Sequence, residues 1–275
     1  PVQLWSFLRQ SAPYALVVFL MTAYTRLDAI MIEKLLPLNG AVEADRYASA
    51  FRLLDAANLG GFLLAGLLLP MFARLLKTGA SVRPLTRLAI TTIWSGSITV
   101  AVSVCFFATP IMTVLYTNGD AYSGEILQWL MLTFIPMSGG YVYGTLLTAN
   151  ADLKPMNIIF AIGIGLNLLL NLLLIPRQGA VGAAIATFVT QSFTFLAQLI
   201  LAVRLLKLKV ASSLLLRLLA LVTLLAGLGY FLALPVLPLP WAVKFLLAIS
   251  AGGILAFALR LMDIKSWLEW LGVRK

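Results

Sequence analysis

Apolar residues run along this chain in stretches of about 20, each long enough to cross a hydrocarbon core of about 30 Å as a helix. Short polar segments rich in turn residues separate them. The pattern predicts eight spans: about Ser11–Leu36, Tyr47–Leu76, Leu88–Tyr116, Glu125–Ala149, a fifth ending at Pro176, then Ala180–Leu206, Leu214–Leu234 and Trp241–Met262. Strand-like alternation is absent, which excludes a barrel. Within the spans, Gly60, Gly61 and Gly66 allow close helix contact and Pro70 marks a kink. Pro136 followed by Gly139 and Gly140 predicts a bend or an unwound point. Pro176 is expected to end the fifth span, with a tight turn at Arg177-Gln178-Gly179 and close approach of the next helix at Gly182. The last two spans are Leu-rich and read as peripheral helices facing lipid. Residues 1–10, with Leu4, Trp5, Phe7 and Leu8 beside Arg9, read as an interfacial connector, and 263–275, with Trp267 and Trp270, as an interfacial tail.

Composition agrees. The chain is 61% hydrophobic and 11% charged, with a mean hydropathy of +1.00, values of an integral membrane protein. Its net charge of +10 is spread over short loops instead of one soluble face, so nucleic acid is not an expected partner. If the amino end is cytoplasmic, fourteen Lys and Arg fall in cytoplasmic segments and four (Lys34, Arg46, Arg177 and Lys244) outside. That bias predicts both termini in the cytoplasm and membrane lipids as partners. Histidine is absent and Cys105 is the single cysteine, so histidine chemistry, intramolecular disulfides and thiolate metal sites are excluded. Asp152, Asp263 and Glu269 stand singly in the loops. No catalytic residue, metal site or cofactor is expected.

The chemistry concentrates between Tyr24 and Asn58, where two apolar spans carry Arg26 and Asp28, then Arg52, Asp55 and Asn58. An ionisable residue inside a bilayer costs about 2.5 to 3.5 kcal/mol and generally faces an interior cavity or a partner. Arg26 and Asp28, two apart, do not share a helix face; Arg52 and Asp55, three apart, do. Two readings stand: an ion-pair network that fixes the bundle, or a wet, charged cavity that handles a polar substrate. Asn167 and Asn171 share a face of the fifth span, suiting hydrogen bonds between helices, and Gln191 and Gln198 read as packing polars.

Asn167-Leu-Leu-Leu-Asn171, then Ile175-Pro176, then Gly179-Ala-Val-Gly182-Ala-Ala-Ile-Ala-Thr187 resembles the polysaccharide (O-antigen-type) flippases of the multidrug/oligosaccharidyl-lipid/polysaccharide exporter superfamily. Arg26-Leu-Asp28-Ala-Ile-Met-Ile, Tyr47-Ala-Ser-Ala-Phe-Arg52-Leu-Leu-Asp55-Ala and Leu146-Leu-Thr-Ala-Asn-Ala-Asp-Leu-Lys-Pro155 extend the likeness. It implies an all-α integral membrane protein: a six-helix carboxy-terminal transporter lobe over 11–206, two additional helices over 207–262, and the interfacial pieces at either end. A lone lobe cannot enclose a cavity between lobes. The resemblance therefore implies a fragment whose partner is a missing amino-terminal lobe or another chain. The implied substrate is a lipid-linked oligosaccharide, with Arg26 and Arg52 on its phosphates, Asp28 and Asp55 holding those arginines, and Asn58 on sugar hydroxyls. Asp28 and Asp55 would also answer to a coupling cation or proton. A drug/cation antiporter and a peptidoglycan-precursor flippase of the same superfamily are the alternatives, and a structural membrane subunit the one from another class.

Overall fold

A computed structural model of the chain describes residues 15, 27–151, 153–208, 212–235 and 237–270, all helix and connecting turns with no strand among them. Residues 27–35 form the described part of α1. There follow α2 (Gly40–Lys77), α3 (Arg83–Leu115), α4 (Ala121–Ala149), α5 (Leu153–Leu206), α6 (Ser212–Ala233), α7 (Trp241–Ala258) and the short α8 (Ile264–Trp270). Six of these, α2 to α7, are long and apolar enough to cross a membrane. The chain is an all-α, multi-pass membrane protein.

The 54 residues of α5 would reach roughly 80 Å if straight. They break at Gly179, whose φ of +58° and ψ of −138° are open only to glycine. Asn171 and Thr187 lie eight residues either side of the break, yet both bind Asp28, so the two arms run side by side. Close approach depends on Gly182, where a Cβ would sit 2.6 Å from the carbonyl oxygen of Leu174. The helix does not end at Pro176 as expected; the first arm continues to the glycine. Proline removes one backbone donor, whereas Gly179 alone supplies the conformation that reverses the chain.

Helix α4 is apolar all round and packs against α2, α3 and α5, the position of a central helix. It runs unbroken through Pro136, so the unwound point expected there is not present. Gly139 and Gly144 serve contact instead: a Cβ on the first would enter the Phe195 ring, and one on the second would lie 3.1 Å from Gln198 Oε1. The Trp94 indole N–H donates to the Ile135 carbonyl (3.1 Å), and Ser138 bonds Ser97 (2.9 Å), tying α3 to the same turn. The kink falls in α3, at Phe107, three residues before Pro110. Helices α6 and α7 lean on α3, with Phe106 over Gly229 and Thr99 over Gly252, and expose residues such as Leu216 and Ile254. Two large apolar clusters fill the bundle, one around Leu54, Ala108, Leu130 and Ile175, the other around Leu68, Ile90, Leu146 and Leu221, and a small third one of Phe107, Leu232 and Ala248 joins α3 to α6 and α7.

Candidate functional site

Asp28 on α1 is completely buried. Its Oδ2 accepts hydrogen bonds from the Tyr47 hydroxyl (2.7 Å) and from Thr187 Oγ1 (2.6 Å), and its Oδ1 from Asn171 Nδ2 (2.7 Å). Asn171 Nδ2 also donates to Asn167 Oδ1 at 3.1 Å, as their one-turn spacing allows. One carboxylate thus gathers α1, α2 and both arms of α5. A carboxylate taken from water is tolerated where several donors replace its hydration, and here three do. Two polar atoms of this shell, Asn171 Oδ1 and Asn167 Nδ2, have no hydrogen-bond partner among the described residues. All the oxygens, from carboxylate, amide and hydroxyl groups, are hard donors. They suit a proton or a hard cation and not a soft transition metal. No group of three or more His, Cys, Asp or Glu gathers among the described residues.

Arg52 and Asp55 lie elsewhere, on the exposed face of α2. Arg52, Asp55, Leu59, Phe62, Gly66 and Leu69 follow one another at three- and four-residue steps and are all exposed, so they form one stripe. The lower part of the stripe, Phe62, Gly66 and Leu69, walls a cavity of about 370 Å³ between α2, α4 and α5. Gln191, Gln198, Tyr141, Thr145, Thr148 and Thr194 supply its polar groups, while both glutamines are buried and Gln198 packs against Gly144. Asn58 is buried beside the stripe, its Nδ2 against the Met137 sulfur at 3.6 Å, and Met137 lines the same cavity. Arg52 and Asp55 thus lie on the same helix face as the wall of an amphiphilic recess with several hydroxyl and amide groups.

At the Arg46 end of α2 a second cluster closes over the α5 reversal. Glu43, buried, accepts from the Tyr122 hydroxyl (2.6 Å) and from the backbone N–H of Ala180 (3.0 Å). Arg46 donates to Asp120 at 2.8 Å, and Asp120 caps α4 by accepting from the Ser123 N–H at 2.8 Å. That backbone bond, with help from the Ser123 side chain and Arg46, holds the Asp120 carboxyl below its ordinary value. The cluster fixes the glycine break between the α2 and α4 starts.

The residues grouped by sequence thus separate. Arg26 lies outside the described residues. Asp28 belongs to the sealed junction with Asn167 and Asn171, while Arg52 and Asp55 border the open face and Asn58 lies just behind it. Among the described residues the partners of Asp28 are neutral hydrogen-bond donors, not the ion-pair network that the sequence suggested. Tyr47 and Thr187 complete the Asp28 shell. Thr187 stands among apolar neighbours and Tyr47 follows Asp45-Arg46, and neither pattern could match the residue to a partner on another helix.

The sequence profile described as the lipid II flippase MurJ matches residues 40–252. That range takes in the α2 stripe, the cavity, Tyr47, the α5 asparagines and Thr187, and leaves Asp28 outside. No curated protein matches the chain. With a helical membrane bundle and more than half the chain matched, the chain belongs to the MurJ lipid II flippase family, within the superfamily that its motifs resemble.

Proposed function

We propose that this chain takes part in moving a lipid-linked peptidoglycan precursor across the cytoplasmic membrane, with the exposed stripe of α2 as one wall of the path. The observation that carries this is the joining of Arg52 and Asp55 to the Gln- and Tyr-lined recess along a single helix face. A lipid-linked saccharide brings a diphosphate and many hydroxyls, whose full desolvation the hydrocarbon core would not repay. Arg52 offers a fork of donors for phosphate oxygens, and Asp55, one turn on, orients it when the path is empty. Asn58, Gln191 and Gln198 supply amides for hydroxyl groups.

The family match favours the peptidoglycan precursor over the O-antigen-type polysaccharide unit that the α5 motif suggested. An arginine on the path also repels the lipophilic cations of a drug antiporter. Alternating access needs a second lobe opposite the stripe, supplied by an amino-terminal lobe or another chain. The Asp28 shell, joining both arms of α5 to α1 and α2, is the element through which a bound cation or proton would bias the two states.

The test is Arg52→Ala in cells that depend on this protein. Precursor export is expected to fall at least tenfold with membrane insertion unchanged, whereas Arg52→Lys, which keeps the charge and loses the fork, retains part of it. Normal export by the alanine variant at normal expression removes Arg52 from the path. Export of a lipid-linked polysaccharide unit, but not of lipid II, would return the substrate to the polysaccharide branch.

A further inference from the structure

A second cavity lies away from the α2 stripe, at the start of α3. It measures about 660 Å³ and is lined by Arg83 and Arg87 from the first turns of α3, Arg217 from α6, and Arg260, Asp263 and Ser266 around the α7–α8 connection. Four arginines from three parts of the chain line the same cavity as one carboxylate. Buried Leu88, Leu214 and Leu261 form an apolar floor.

Basic residues at one end of a membrane bundle are expected from orientation alone. Orientation does not require them to converge. Arg74 and Lys77, in the last turn of α2 beside the α3 start, carry the same charge outside the cleft. Two features hold the cleft in shape. Arg83 Nη2 donates to the Lys207 carbonyl at 2.6 Å, fastening the end of α5 to α3 and leaving other donors of that guanidinium. Arg260 adopts φ +54° just after α7, a left-handed position that glycine normally fills.

The depth of the cleft is marked by α8. Its Trp267 donates to Thr92 Oγ1 at 2.9 Å and packs with Trp270 against the core. Tryptophans on a short terminal helix sit at the headgroup level of a bilayer. A cleft beside such a helix would open at the level of lipid phosphates, with the side chains of Leu88, Leu214 and Leu261 beneath them.

We propose that this cleft is a binding site for the phosphodiester headgroup of an anionic phospholipid, held by Arg87, Arg217 and Arg260, with the upper acyl chain on Leu214 and Leu261. The inference is independent of which lipid-linked precursor the α2 stripe handles. A free inorganic phosphate would satisfy the arginines but make no use of the apolar floor, which is why the lipid is the better occupant.

Native mass spectrometry of the purified full chain, titrated with phosphatidylglycerol and in parallel with phosphatidylcholine, tests it. Phosphatidylglycerol is expected to stay bound where phosphatidylcholine is lost. Each arginine removed should weaken it about fivefold, the effect of about 1 kcal/mol per basic residue near a membrane surface. Arg217→Gln with Arg260→Gln should thus lose roughly 25-fold, against less than about twofold for Arg74→Gln with Lys77→Gln. Equal retention of the two lipids, or equal losses in the two double variants, overturns the site in favour of a purely orientational role for the charge. Displacement of the lipid by inorganic phosphate, at an ionic strength matched with chloride, overturns the lipid assignment. Should the double variant fail to fold, Arg87→Gln on the exposed rim carries the same expectation of a fivefold loss, and unchanged affinity there is equally fatal.

Discussion

Asp28 and Arg52 are both charged residues in apolar helices, and their surroundings are opposite. Asp28 is sealed and accepts three hydrogen bonds; Arg52 is exposed on the face that leads to the cavity. Removing an acceptor from buried donors costs about 1 to 3 kcal/mol per group left unsatisfied, though helices in lipid often find other partners. Asp28→Ala is therefore expected to destabilise the protein by about 2 to 3 kcal/mol, seen as a lower thermal midpoint in detergent. Arg52→Ala should leave that midpoint within about 0.5 kcal/mol of the parent. A loss of stability equal to that of Asp28→Ala would mean that Arg52 holds helices together. Asp120 adds a pH signature, since its folded-state pKa is lowered from 3.8. Its contribution is complete well above that value and is lost as the pH falls through the lower folded value. Between pH 5 and 7 the Arg46–Asp120 contact should stay, so a pH scan of thermal stability should show no Asp120-dependent step there; one that vanishes in Asp120→Asn would refute the assignment.

At the scale of the helix, the reversal of α5 depends on one residue. Gly179 has a backbone conformation closed to side chains, and a Cβ there would sit 2.5 Å from the Tyr122 hydroxyl and 2.6 Å from Glu43 Oε2. Gly179→Ala should cost about 2 kcal/mol or more from backbone strain and from loosening the Glu43 bond to Ala180. Thermal unfolding measures it, and a midpoint unchanged within error would show that the break tolerates a side chain. Pro176→Ala, within a helix that already continues past it, should be far milder. The same logic explains the prolines elsewhere: α4 absorbs Pro136 without unwinding, while α3 yields near Pro110, at Phe107.

For the molecule as a whole, the question is whether the α2 stripe meets water. A single cysteine at Phe62, in a Cys105→Ala background, lies on the stripe at the mouth of the recess and is exposed in the structure. It should react with a membrane-impermeant thiol reagent in the assembled protein, and lipid-linked precursor should slow the reaction severalfold. A cysteine at Leu216, exposed on peripheral α6, should stay inert because lipid covers it. Equal inertness at both positions would place the stripe against lipid and remove it from the transport path.

Much of this was legible in the sequence because it is local. Apolar run length predicted the helical membrane class, which six long apolar helices among the described residues bear out, since a helix satisfies its own backbone bonds wherever water is absent. Gly179 and the asparagine pair were visible for the same reason, being matters of backbone freedom and of one-turn spacing. What sequence left open was rotation: which way each polar side chain points depends on how neighbouring helices turn and touch. Only the packed bundle separated Asp28 from Arg52, gave Asp28 its partners Tyr47 and Thr187 from 19 and 159 residues away, and drew Arg83, Arg87, Arg217 and Arg260 into one cleft. Those groupings follow from long-range contacts between helices, which no window along the chain contains.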